Sequence, residues 1–540
     1  MLFPWLQLQV PENDVPLTDH ILTLITFVPT AGAIVVAFLP RKGRAIQAFT
    51  LLVTLATFVL SLHLPAHFNY AQRGFQFQEN QPWIASPAIR YHLGVDGLSL
   101  WLIVLATFLG PIGVLVSWRA IDTHTKEFYF LFLLQQTAMI GVFAALDLFL
   151  YYGFWELSLV PMAILIAMFG PNRGRQAAIK FFLYTFIPSA LFLVAILYLY
   201  AKAGTFDFAQ LQTLLANGDL GIAPHVLSWL SLAFLVAFAV KVPVFPLHGW
   251  LSDVIQEAPV AMAMVVAGKL GLYSIFRFNL GLFPAQARAI APLMIVLAVI
   301  GILYGALVAL AQTDMKRLIA YSILGNLSFC ILGIFCFAIA GLNGAVFQTL
   351  NEGLTGSALL VLVSFLYERY RTYDMSLYGG LAARLPMLAT LFVVTSLALI
   401  GLPLFNGFVG EFLVLSGSFP VHPAWVAAAT TGVILSASYM LWMVQRIFYG
   451  KQSSLVLNRP AFDLNFREHI TLWPMAILML TMGVLSPYWI KGIQSGILQF
   501  PIDVTQTTVV AQRHAHGFVS THMLPAPTPA DAQKLMGGVQ

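Results

Sequence analysis

Charge is the scarcest property of this sequence: only 9% of its 540 residues are Asp, Glu, Lys or Arg. Because soluble domains carry roughly 25% charged residues, the composition excludes an ordinary soluble enzyme. Hydrophobic residues make up 59% of the chain. The basic residues lie in short loops between apolar stretches, not in a patch with interleaved aromatics. The sequence therefore does not predict binding of nucleic acid.

Cysteine is nearly absent as well, since Cys330 and Cys336 are the two in the chain. Two thiols cannot supply the ligands of an iron–sulfur cluster, and we expect both to be small core residues. The sequence also lacks a glycine-rich dinucleotide loop and a P-loop. We therefore predict that this chain itself binds no metal and no cofactor.

Long apolar stretches fill most of the chain. Because roughly 20 apolar residues cross the hydrocarbon core of a bilayer as a helix, the sequence predicts an all-α polytopic membrane protein. We count about fourteen spans of this length. They start near Ile21, Ile46, Leu98, Phe128, Phe149, Phe181, Leu227, Val260, Ile290, Leu318, Asn343, Leu388, Trp425 and Leu472.

Prolines interrupt two of these spans. The seventh contains Pro243 and Pro246, and the twelfth contains Pro403. Interrupted helices at matching places in two halves indicate an inverted repeat with sites at the breaks, so we predict two five-helix repeats. The predicted divisions are two N-terminal helices with an extramembrane loop (1–95), a third helix (96–126), the first repeat (127–285), the second repeat (286–450), a C-terminal helix region (451–505) and an extended tail (506–540).

The loops predict the orientation. Lys and Arg concentrate in the loops after the odd-numbered spans, as with Arg173, Arg175, Lys316 and Arg317. Cytoplasmic loops carry the excess of basic residues. We therefore expect both termini to face away from the cytoplasm.

Lys241 lies deep inside the apolar run from Leu230 to Pro246. A cation at the centre of a span costs about 2.5–3.5 kcal/mol on the insertion scale. Pro243 and Pro246 follow at once, and each removes a backbone donor. A broken helix at membrane depth is tolerated where it packs in protein or lines a wet cavity. We therefore predict a proton or ion site at Lys241.

Glu156 is a carboxylate within the fifth predicted span. It must be paired, neutral or hydrated there. We expect it to pair with Lys241, so that making and breaking the pair lets Lys241 hold and release a proton. The alternative is a protonated acid that forms a structural hydrogen bond between helices.

Four further titratable residues lie in or beside the spans. Lys269 is a candidate relay group or a lysine that extends to the interface. Glu411 follows the second break and is a terminal carboxylate or a structural cap. Glu352 is a candidate stepping stone, and His248 can titrate near neutral pH or serve as a structural group. Most of the acidic residues near span ends are predicted caps: Asp96, Asp147, Asp253, Asp314 and Glu257.

Several motifs occur together and in order between residues 90 and 450. They are Gly94-Val95-Asp96-Gly97-Leu98-Ser99, Phe128-Tyr129-Phe130-Leu131, Phe154-Trp155-Glu156-Leu157, Ile179-Lys180-Phe181-Phe182, Lys241-Val242-Pro243-Val244-Phe245-Pro246-Leu247-His248, Lys316-Arg317-Leu318-Ile319-Ala320-Tyr321-Ser322 and Phe408-Val409-Gly410-Glu411-Phe412. In these motifs the chain resembles the antiporter-like membrane subunits of respiratory complex I (NDH-1), specifically the chain 4 or NuoM/NdhD type.

The resemblance implies fourteen helices, two inverted five-helix repeats and a hydrated axis. Glu156, Lys241, Lys269 and Glu411 would take the proton-relay positions of that family. The resemblance also implies partner subunits: other membrane-arm subunits, including a NuoL/NdhF-type neighbour, surrounding lipids, and a redox arm that holds the iron–sulfur clusters and quinone. The chain would then be a subunit of an NAD(P)H or ferredoxin:quinone oxidoreductase.

Two positions depart from the family pattern. Asn326 stands where the family usually has a histidine, and Glu352 stands in Asn351-Glu352-Gly353 where the family usually has Ser-His-Gly. The stretch from Pro259 to Lys269 is also shorter than usual. Such departures are typical of a specialised cyanobacterial NdhD paralogue, in a thylakoid complex linked to uptake of inorganic carbon.

Two alternatives to proton pumping by a complex I-like enzyme stay open at this point. One is a subunit of an Mrp-type sodium/proton antiporter, in which the same charges would exchange ions without electron transfer. The other is a non-pumping scaffold for a module that hydrates carbon dioxide. The insertion cost of Lys241 and Glu156 favours a role in transport over the scaffold.

Overall fold

A computed structural model describes residues 19–40, 44–266, 269–459 and 461–500 of the chain. The predicted tail, 506–540, lies outside the described residues. The first helices are α1 Ile21–Phe38, α2 Ala45–Ser61, α3 His63–His67, α4 Leu100–Ala120, α5 Thr125–Ala144, α6 Leu148–Leu157, α7 Leu159–Phe169, α8 Gly174–Ala203, α9 Phe208–Asn217, α10 Pro224–Lys241 and α11 Leu251–Glu257. They are followed by α12 Val260–Val266, α13 Lys269–Ser274, a π-helix Ile275–Leu280, α14 Pro284–Leu310, α15 Met315–Phe335, α16 Ile339–Tyr370, α17 Pro386–Ile400, α18 Asn406–Ser418, α19 Pro423–Phe448, α20 Ser454–Asn458, α21 Phe466–Val484 and α22 Ser486–Ile497, with short 3₁₀ helices at Met375–Leu377 and Leu381–Ala383.

These helices confirm the predicted fold class. Within the described ranges, 12 helical segments are long and apolar enough to cross a membrane. The pair α21 and α22, bent by 76°, raises the number to 13. Helices α17 and α18 flank the second predicted break. Each predicted span start falls in or next to one of these segments.

Prolines define where several helices begin. Pro224, Pro284, Pro386 and Pro423 each occupy the first turn of a helix, where their missing N–H would have no helical partner. At these places the predicted start was a few residues late because the apolar run begins after the proline. Local sequence signals thus mark where these four helices begin.

A β-hairpin in the N-terminal loop was not predicted. Strands β1 Gln76–Ile84 and β2 Ile89–Val95 pair antiparallel. The Glu79 carboxylate on β1 accepts hydrogen bonds from the backbone N–H groups of Leu22, at 2.7 Å, and Thr23, at 3.1 Å. These N–H groups belong to the first turn of α1 and have no partner within the helix. The hairpin therefore caps the first span.

Two aspartate pairs show the repeat. The backbones of Asp147 and Asp207 form a bridge, and so do those of Asp314 and Asp374. Asp147 caps α6 and Asp314 caps α15 through their side chains, as predicted. The first pair follows the fourth and sixth spans, whereas the second follows the ninth and eleventh. The pairs therefore lie on opposite sides of the membrane, as an inverted repeat requires.

Helix α16 forms the centre of the protein. It is 32 residues long, and its membrane-spanning window is 100% buried. Small residues allow its neighbours to approach closely. A Cβ atom at Gly344 would lie 2.6 Å from the backbone nitrogen of Val414 on α18. A Cβ atom at Gly353 would lie 2.6 Å from Cε of Lys269. Helix α16 thus contacts both Lys269 and α18, the helix that follows the second break.

Candidate functional site

The first predicted break lies directly after Lys241. Helix α10 ends there, and the chain resumes helical structure at α11. The carbonyl groups freed by the break have other partners: the indole Nε1 of Trp250 donates to the Val240 carbonyl at 3.0 Å, and the Val244 N–H donates to the Ala239 carbonyl at 2.9 Å. The break is therefore satisfied by protein, as membrane depth demands.

The Lys241 side chain is buried and has neutral neighbours. Its Nζ donates to Ser158 Oγ at 3.2 Å and lies 4.8 Å from the ring centroid of Trp155. The aromatic face attracts a cation. An ammonium has three N–H donors, and this environment fixes one of them in a hydrogen bond. Lys241 is therefore held in place without the full set of partners that would lock its charge.

Glu156 and Lys241 form no direct ion pair among the described residues, but the two groups interact electrostatically. The Glu156 carboxylate accepts a short hydrogen bond from Ser189 Oγ on α8. Ser189 Oγ in turn accepts from the indole Nε1 of Trp155 at 3.1 Å. Helix positions two apart do not share a face. Ser158 therefore points to α10 while Glu156 points to α8, and Trp155 contacts both Lys241 and Ser189.

Lys269 is buried inside the protein. It is 2% exposed, and its Nζ donates to the Met264 carbonyl at 3.0 Å. Its stem packs against Gly353 on α16. A lysine that extended to the interface would expose its ammonium. The alternative of an interfacial lysine is therefore wrong, and Lys269 is a second buried amine.

The two departures from the family pattern contact each other. Nδ2 of Asn326 on α15 donates to Oε2 of Glu352 on α16 at 2.8 Å. Glu352 is fully buried, and its Oε1 has no hydrogen-bond partner among the described residues. Glu352 also interacts electrostatically with Lys269 on one side and Glu411 on the other. Glu352 thus interacts with both of its predicted relay neighbours, and its role as a stepping stone stays a prediction.

Glu411 lies behind the second break. Helix α17 ends before Gly401, whose φ of +81° favours glycine. A Cβ atom at Gly401 would also lie 2.7 Å from Oε2 of Glu411. Glu411 is beyond the first turn of α18 and makes no cap hydrogen bond there. The cap alternative is therefore wrong, and the structure assigns Gly401, Leu402, Pro403, Leu404 and Phe405 to the break itself.

Amide side chains cover the second break. Nδ2 of Asn351 on α16 donates to the Asn406 carbonyl at 2.8 Å and to Gln348 Oε1 at 2.9 Å. Oδ1 of Asn351 and both amide atoms of Asn406 are buried without a partner among the described residues. Sequence reasoning missed this group because an asparagine within an apolar span carries no charge signal.

His248 lies among aromatic rings beyond the first break. Its ring centroid is 5.4 Å from that of Phe245 and 5.0 Å from that of Tyr304. Its Nδ1 is buried without a partner among the described residues. Nearby, Lys180 pairs with Asp253 at 2.7 Å. The structure thus separates His248 from the row of buried charges, and its role in the relay stays a prediction.

Two polar cavities open on the side of the odd-numbered loops. One measures about 420 Å³ and the other about 540 Å³, and Glu257 lines both. Lys316 lines the larger one and donates to the carbonyls of Gln256 and Ala258 at 3.0 and 3.1 Å. Sequence reasoning took Glu257 as a cap and used Lys316 for the orientation and for the family resemblance, but not as part of a site. Both cavities lie at the same end of the helices, beside the loops that hold Arg173 and Lys316.

Neither cysteine suggests a cofactor. Cys330 and Cys336 are buried and free, as core residues would be. Within the described ranges, no group of three or more His, Cys, Asp or Glu side chains is placed to hold a metal ion. The chemistry that these residues offer is proton transfer between amines and carboxyls.

Comparisons with known proteins agree with this geometry. A family model described as "NADH:quinone oxidoreductase/Mrp antiporter, TM" matches residues 145–436. NADH-quinone oxidoreductase subunit M from Rhodobacter capsulatus is 40% identical, over 86% of this chain and 93% of that relative. NADH-ubiquinone oxidoreductase chain 4 from Arabidopsis thaliana is 37% identical, over 87% of this chain and 94% of its own length.

A solved structure agrees as well. A chain of respiratory complex I from Thermus thermophilus superposes with a TM-score of 0.80 and 30% identity, covering 91% of this chain and 99% of that one. The motif resemblance drawn from the sequence is thereby confirmed. The residues, the fold and the relatives agree: the chain belongs to the NADH:quinone oxidoreductase/Mrp antiporter transmembrane family.

Proposed function

We propose that this chain is the proton-translocating membrane subunit of a complex I-like NADH-quinone oxidoreductase. The observation that carries the proposal is a series of titratable groups within the spans of both predicted repeats: the partly buried Glu156 and the buried Lys241, Lys269, Glu352 and Glu411. Intramembrane ionisable residues are costly and mark ion or proton pathways. Each of these groups can bind and release a proton.

The proton would move along this series in steps. Displacement of the Glu156 carboxylate relative to Lys241 changes the field at the amine, which then releases its proton toward Lys269. Glu352, held by Asn326, receives it next, and Glu411 passes it through the second break. The polar cavities at Glu257 supply protons from the cytoplasmic side, in the orientation that the basic loops favour. Both termini would then face away from the cytoplasm.

Partner subunits would supply the energy. The relatives are named as subunits of NADH-quinone oxidoreductase, so we propose that iron–sulfur clusters and quinone reside in the other subunits. A NuoL/NdhF-type subunit would be the neighbour in the membrane arm. Electron transfer in those partners would displace Glu156 or its helix and so start each proton step.

Lys241→Ala and Lys269→Ala in the intact complex test this proposal. Redox-driven proton uptake is measured in vesicles, and assembly is checked on native gels from the same samples. Each variant is expected to assemble and to lose pumping by roughly 10²-fold, the scale of acid–base catalysis. Lys202→Ala, at an exposed lysine near the end of α8, is the matched control. Full pumping by assembled Lys241→Ala would contradict the proposal and favour the scaffold.

The Mrp-type antiporter remains the second candidate because it shares the fold. The Mrp complex from Dietzia superposes with a TM-score of 0.79 at 18% identity, covering 92% of this chain and 100% of that one. Sodium-dependent proton movement without quinone reduction would support that function. The identity to subunit M favours the redox-coupled one.

The carbon-uptake variant is a narrower proposal. The departures at Asn326 and Glu352 motivate it, and it would place the complex in a cyanobacterial thylakoid membrane. Isolation of the native complex would test it: ferredoxin-dependent reduction of plastoquinone together with a carbon dioxide-hydrating partner would support it. NADH-driven quinone reduction without that partner would favour the general form of the enzyme.

A further inference from the structure

An apolar slot lies between α2, α4 and α21, far from the buried charges of the first break. Its volume is about 350 Å³. Leu62 on α2 and Ile477 on α21 line it and are 42% and 55% exposed. Leu350 on the central helix α16 also lines it and is 3% exposed. The slot therefore reaches from the apolar outer surface of the protein to its central helix.

The slot runs along the helices for about two turns. Trp101 and Phe108 line it seven residues apart on α4, and Thr481 and Pro474 line it seven residues apart on α21. At about 1.5 Å per residue, each pair spans about 10 Å. One leaflet contributes about 15 Å, half of the hydrocarbon core of about 30 Å. The slot thus has a length and a direction that suit an acyl chain of one leaflet.

Aromatic rings mark one end of the slot. The ring centroids of Trp101 and Trp489 are 4.2 Å apart, and that of Tyr488 is 5.7 Å from Trp101. Trp101 lies in the first turn of α4, and Trp489 lies in the first turn of α22. Trp and Tyr concentrate at the level of the lipid headgroups. This end of the slot therefore lies at the membrane interface, and the end at Phe108 lies within the hydrocarbon.

The slot offers few polar partners to water. Among the described residues that line it, side-chain nitrogen and oxygen atoms belong to Thr481, Trp101 and Trp489. The Thr481 hydroxyl already donates to the Leu478 carbonyl at 3.1 Å. Because a buried water needs two to four polar partners, an apolar occupant fits the slot better than water. The indole Nε1 of Trp101 is buried without a partner among the described residues, which leaves one unsatisfied donor at the interfacial end.

The size of the slot excludes a helix of a neighbouring subunit. Two turns of helix with their side chains are about 10–12 Å wide and about 11 Å long. They would occupy more than twice the volume of about 350 Å³. A neighbouring protein could therefore insert only single side chains, whereas a flexible chain of methylene groups fills such a slot along its length.

A cation lies on the helix at the interfacial end. Lys491 is exposed on α22, two residues after Trp489. Residues 486–497 include no Asp or Glu, so the ammonium has no acidic neighbour on its own helix. A lysine at the level of the headgroups attracts anionic lipid groups. A phospholipid supplies a phosphate at this level, whereas the head of a quinone carries no charge.

We propose that this slot binds one acyl chain of a phospholipid whose phosphate contacts Lys491. The chain enters between Leu62 and Ile477 and ends near Phe108. The ester region of the lipid then lies at the level of Trp101, whose indole N–H can donate to an ester carbonyl. The lipid is therefore a bound component of the protein and does not exchange freely with the surrounding bilayer.

The bound chain would complete the packing around α16. Leu105 lines the slot, and a Cβ atom at Gly353 would lie 2.5 Å from Cδ2 of Leu105. Leu350, three residues before Gly353 on the same helix, lines the slot as well. Without an occupant these side chains lose van der Waals contacts on one side. We therefore expect removal of the lipid to lower the thermal stability of the complex.

Leu478 and Leu480 provide a matched pair of substitutions. Both belong to α21, and they are two residues apart. Leu478 lines the slot, whereas Leu480 is 45% exposed and lies outside it. Leu478→Trp should fill the slot with the new indole ring. Leu480→Trp adds the same ring to the outer surface and leaves the slot open.

High-resolution cryo-electron microscopy tests the site directly, on the intact complex extracted with a polymer and without detergent. Wild type and Leu480→Trp are expected to show elongated density from Trp101 to Phe108, with a phosphate at Lys491. Leu478→Trp is expected to lack this density. An empty slot in the wild-type map would overturn the proposal, and so would a slot filled by a side chain of a neighbouring subunit. The wild-type map decides this even if Leu478→Trp fails to assemble.

Mass spectrometry of the lipids that stay bound after a detergent wash identifies the occupant. Wild type and Leu480→Trp are expected to keep one phospholipid per complex more than Leu478→Trp. Trp101→Phe keeps an aromatic ring but loses the N–H donor, and it should release this lipid at a lower detergent concentration. Added phospholipid should raise the Tm of washed wild type and leave that of Leu478→Trp unchanged. Equal retention by wild type and Leu478→Trp, or release of a quinone in place of the phospholipid, would overturn the proposal.

Discussion

Arg277 and Lys241 are both buried cations, but their surroundings differ. Arg277 forms two hydrogen bonds of 2.8 Å with the Asp96 carboxylate, and its Nε donates to the Tyr273 hydroxyl at 3.1 Å. The Nζ of Lys241 donates to the neutral hydroxyl of Ser158. One cation has a bidentate counterion and the other has a hydroxyl and an aromatic face. The difference distinguishes a charge that holds the fold together from one that can be exchanged.

Asp96 completes the fixed cluster. Its Oδ1 accepts from the backbone N–H groups of Leu98 and Ser99 at 3.1 and 3.0 Å, and the Gln499 amide donates to Oδ2. Burial alone would raise the pKa of Asp96, but the Arg277 guanidinium beside it holds that pKa below its usual value. The cluster joins the start of α4, the π-helix and the chain after α22. Its location and complete pairing indicate a structural clamp.

The relay groups show the opposite arrangement. Lys269 donates to a backbone carbonyl, and Glu352 keeps one oxygen without a partner among the described residues. A group with fewer hydrogen-bond partners loses less interaction free energy when it gains or releases a proton, because fewer hydrogen bonds must break. Incomplete pairing is thus the structural condition for proton exchange, and complete pairing excludes it.

Arg277→Leu should have the largest effect because it leaves the Asp96 carboxylate buried without its counterion. Removing one partner of a buried pair costs about 3–5 kcal/mol. We expect the variant to yield little assembled complex on native gels, together with a lowered thermal transition of the remainder. Arg277→Leu combined with Asp96→Asn should recover part of this loss, since no unpaired charge then remains. Normal assembly of the single variant would show that the cluster is no clamp.

Glu352→Gln should have the next largest effect, and on pumping instead of assembly. A glutamine keeps an oxygen that accepts from Asn326 but cannot titrate. We expect a normal amount of complex and a fall in redox-driven proton uptake of roughly 10²-fold. Quinone reduction is measured in the same vesicles to separate uncoupling from loss of turnover. Undiminished pumping would mean that protons pass from Lys269 to Glu411 without Glu352.

A paired reversion sharpens this test. Because Asn326 and Glu352 contact each other, replacing both by histidine restores the two residue types that the family usually has and keeps two titratable or hydrogen-bonding groups in place. The double variant should pump at a rate near that of the wild type. Asn326→His alone should pump less well, since it replaces the amide donor of an adapted pair.

The sequence predicted the spans, both breaks and the buried charges because hydropathy and proline are local signals. It could not predict which way a side chain faces across a break. Glu156 illustrates this limit. The sequence identified it as part of a motif with Trp155, but the direction of its side chain, toward Ser189, depends on how α6 and α8 pack. Contacts between distant neutral residues, such as those of Asn351, carry no such local signal either.

Gln135 shows the same limit from another side. An amide in an apolar span is compatible with many helix contacts, and the small cavity that Gln135 lines forms where α5, α7, α8, α10, α12 and α13 meet. The β-hairpin was missed because its first strand is polar and mostly exposed, without a clear alternation. In each case the missing information was the relative placement of elements far apart in the chain.

Asp207 should give the smallest of the expected effects. The ring Nδ1 of His92 lies 2.6 Å from Asp207 Oδ2 outside the membrane-spanning segments. Burial alone would raise the pKa of Asp207, but the hydrogen bond from His92 holds that pKa below its usual value of 3.8. The stabilisation is therefore fully present above pH 3.8, and it is lost as the pH falls through the lower folded-state pKa. Asp207→Asn should cost about 1.5 kcal/mol near neutral pH.

Hydrogen exchange of the β2 amides, compared between wild type and Asp207→Asn at each pH, measures this effect. The difference should shrink below about pH 4, since an asparagine has no charge to lose. Asp147, which is bridged to Asp207 through the backbone, should respond to acid in the opposite direction. Burial raises the pKa of Asp147, so its protonation at low pH removes the cost of burying a charged carboxylate. Wild type alone would therefore show a partly cancelled response, and the variant separates the two carboxyls. If wild type and Asp207→Asn exchanged their β2 amides at the same rate at every pH, the contact between His92 and Asp207 would contribute nothing to the stability of the hairpin. Arg277 and Asp96 would then be the charged pair that stabilises this side of the protein.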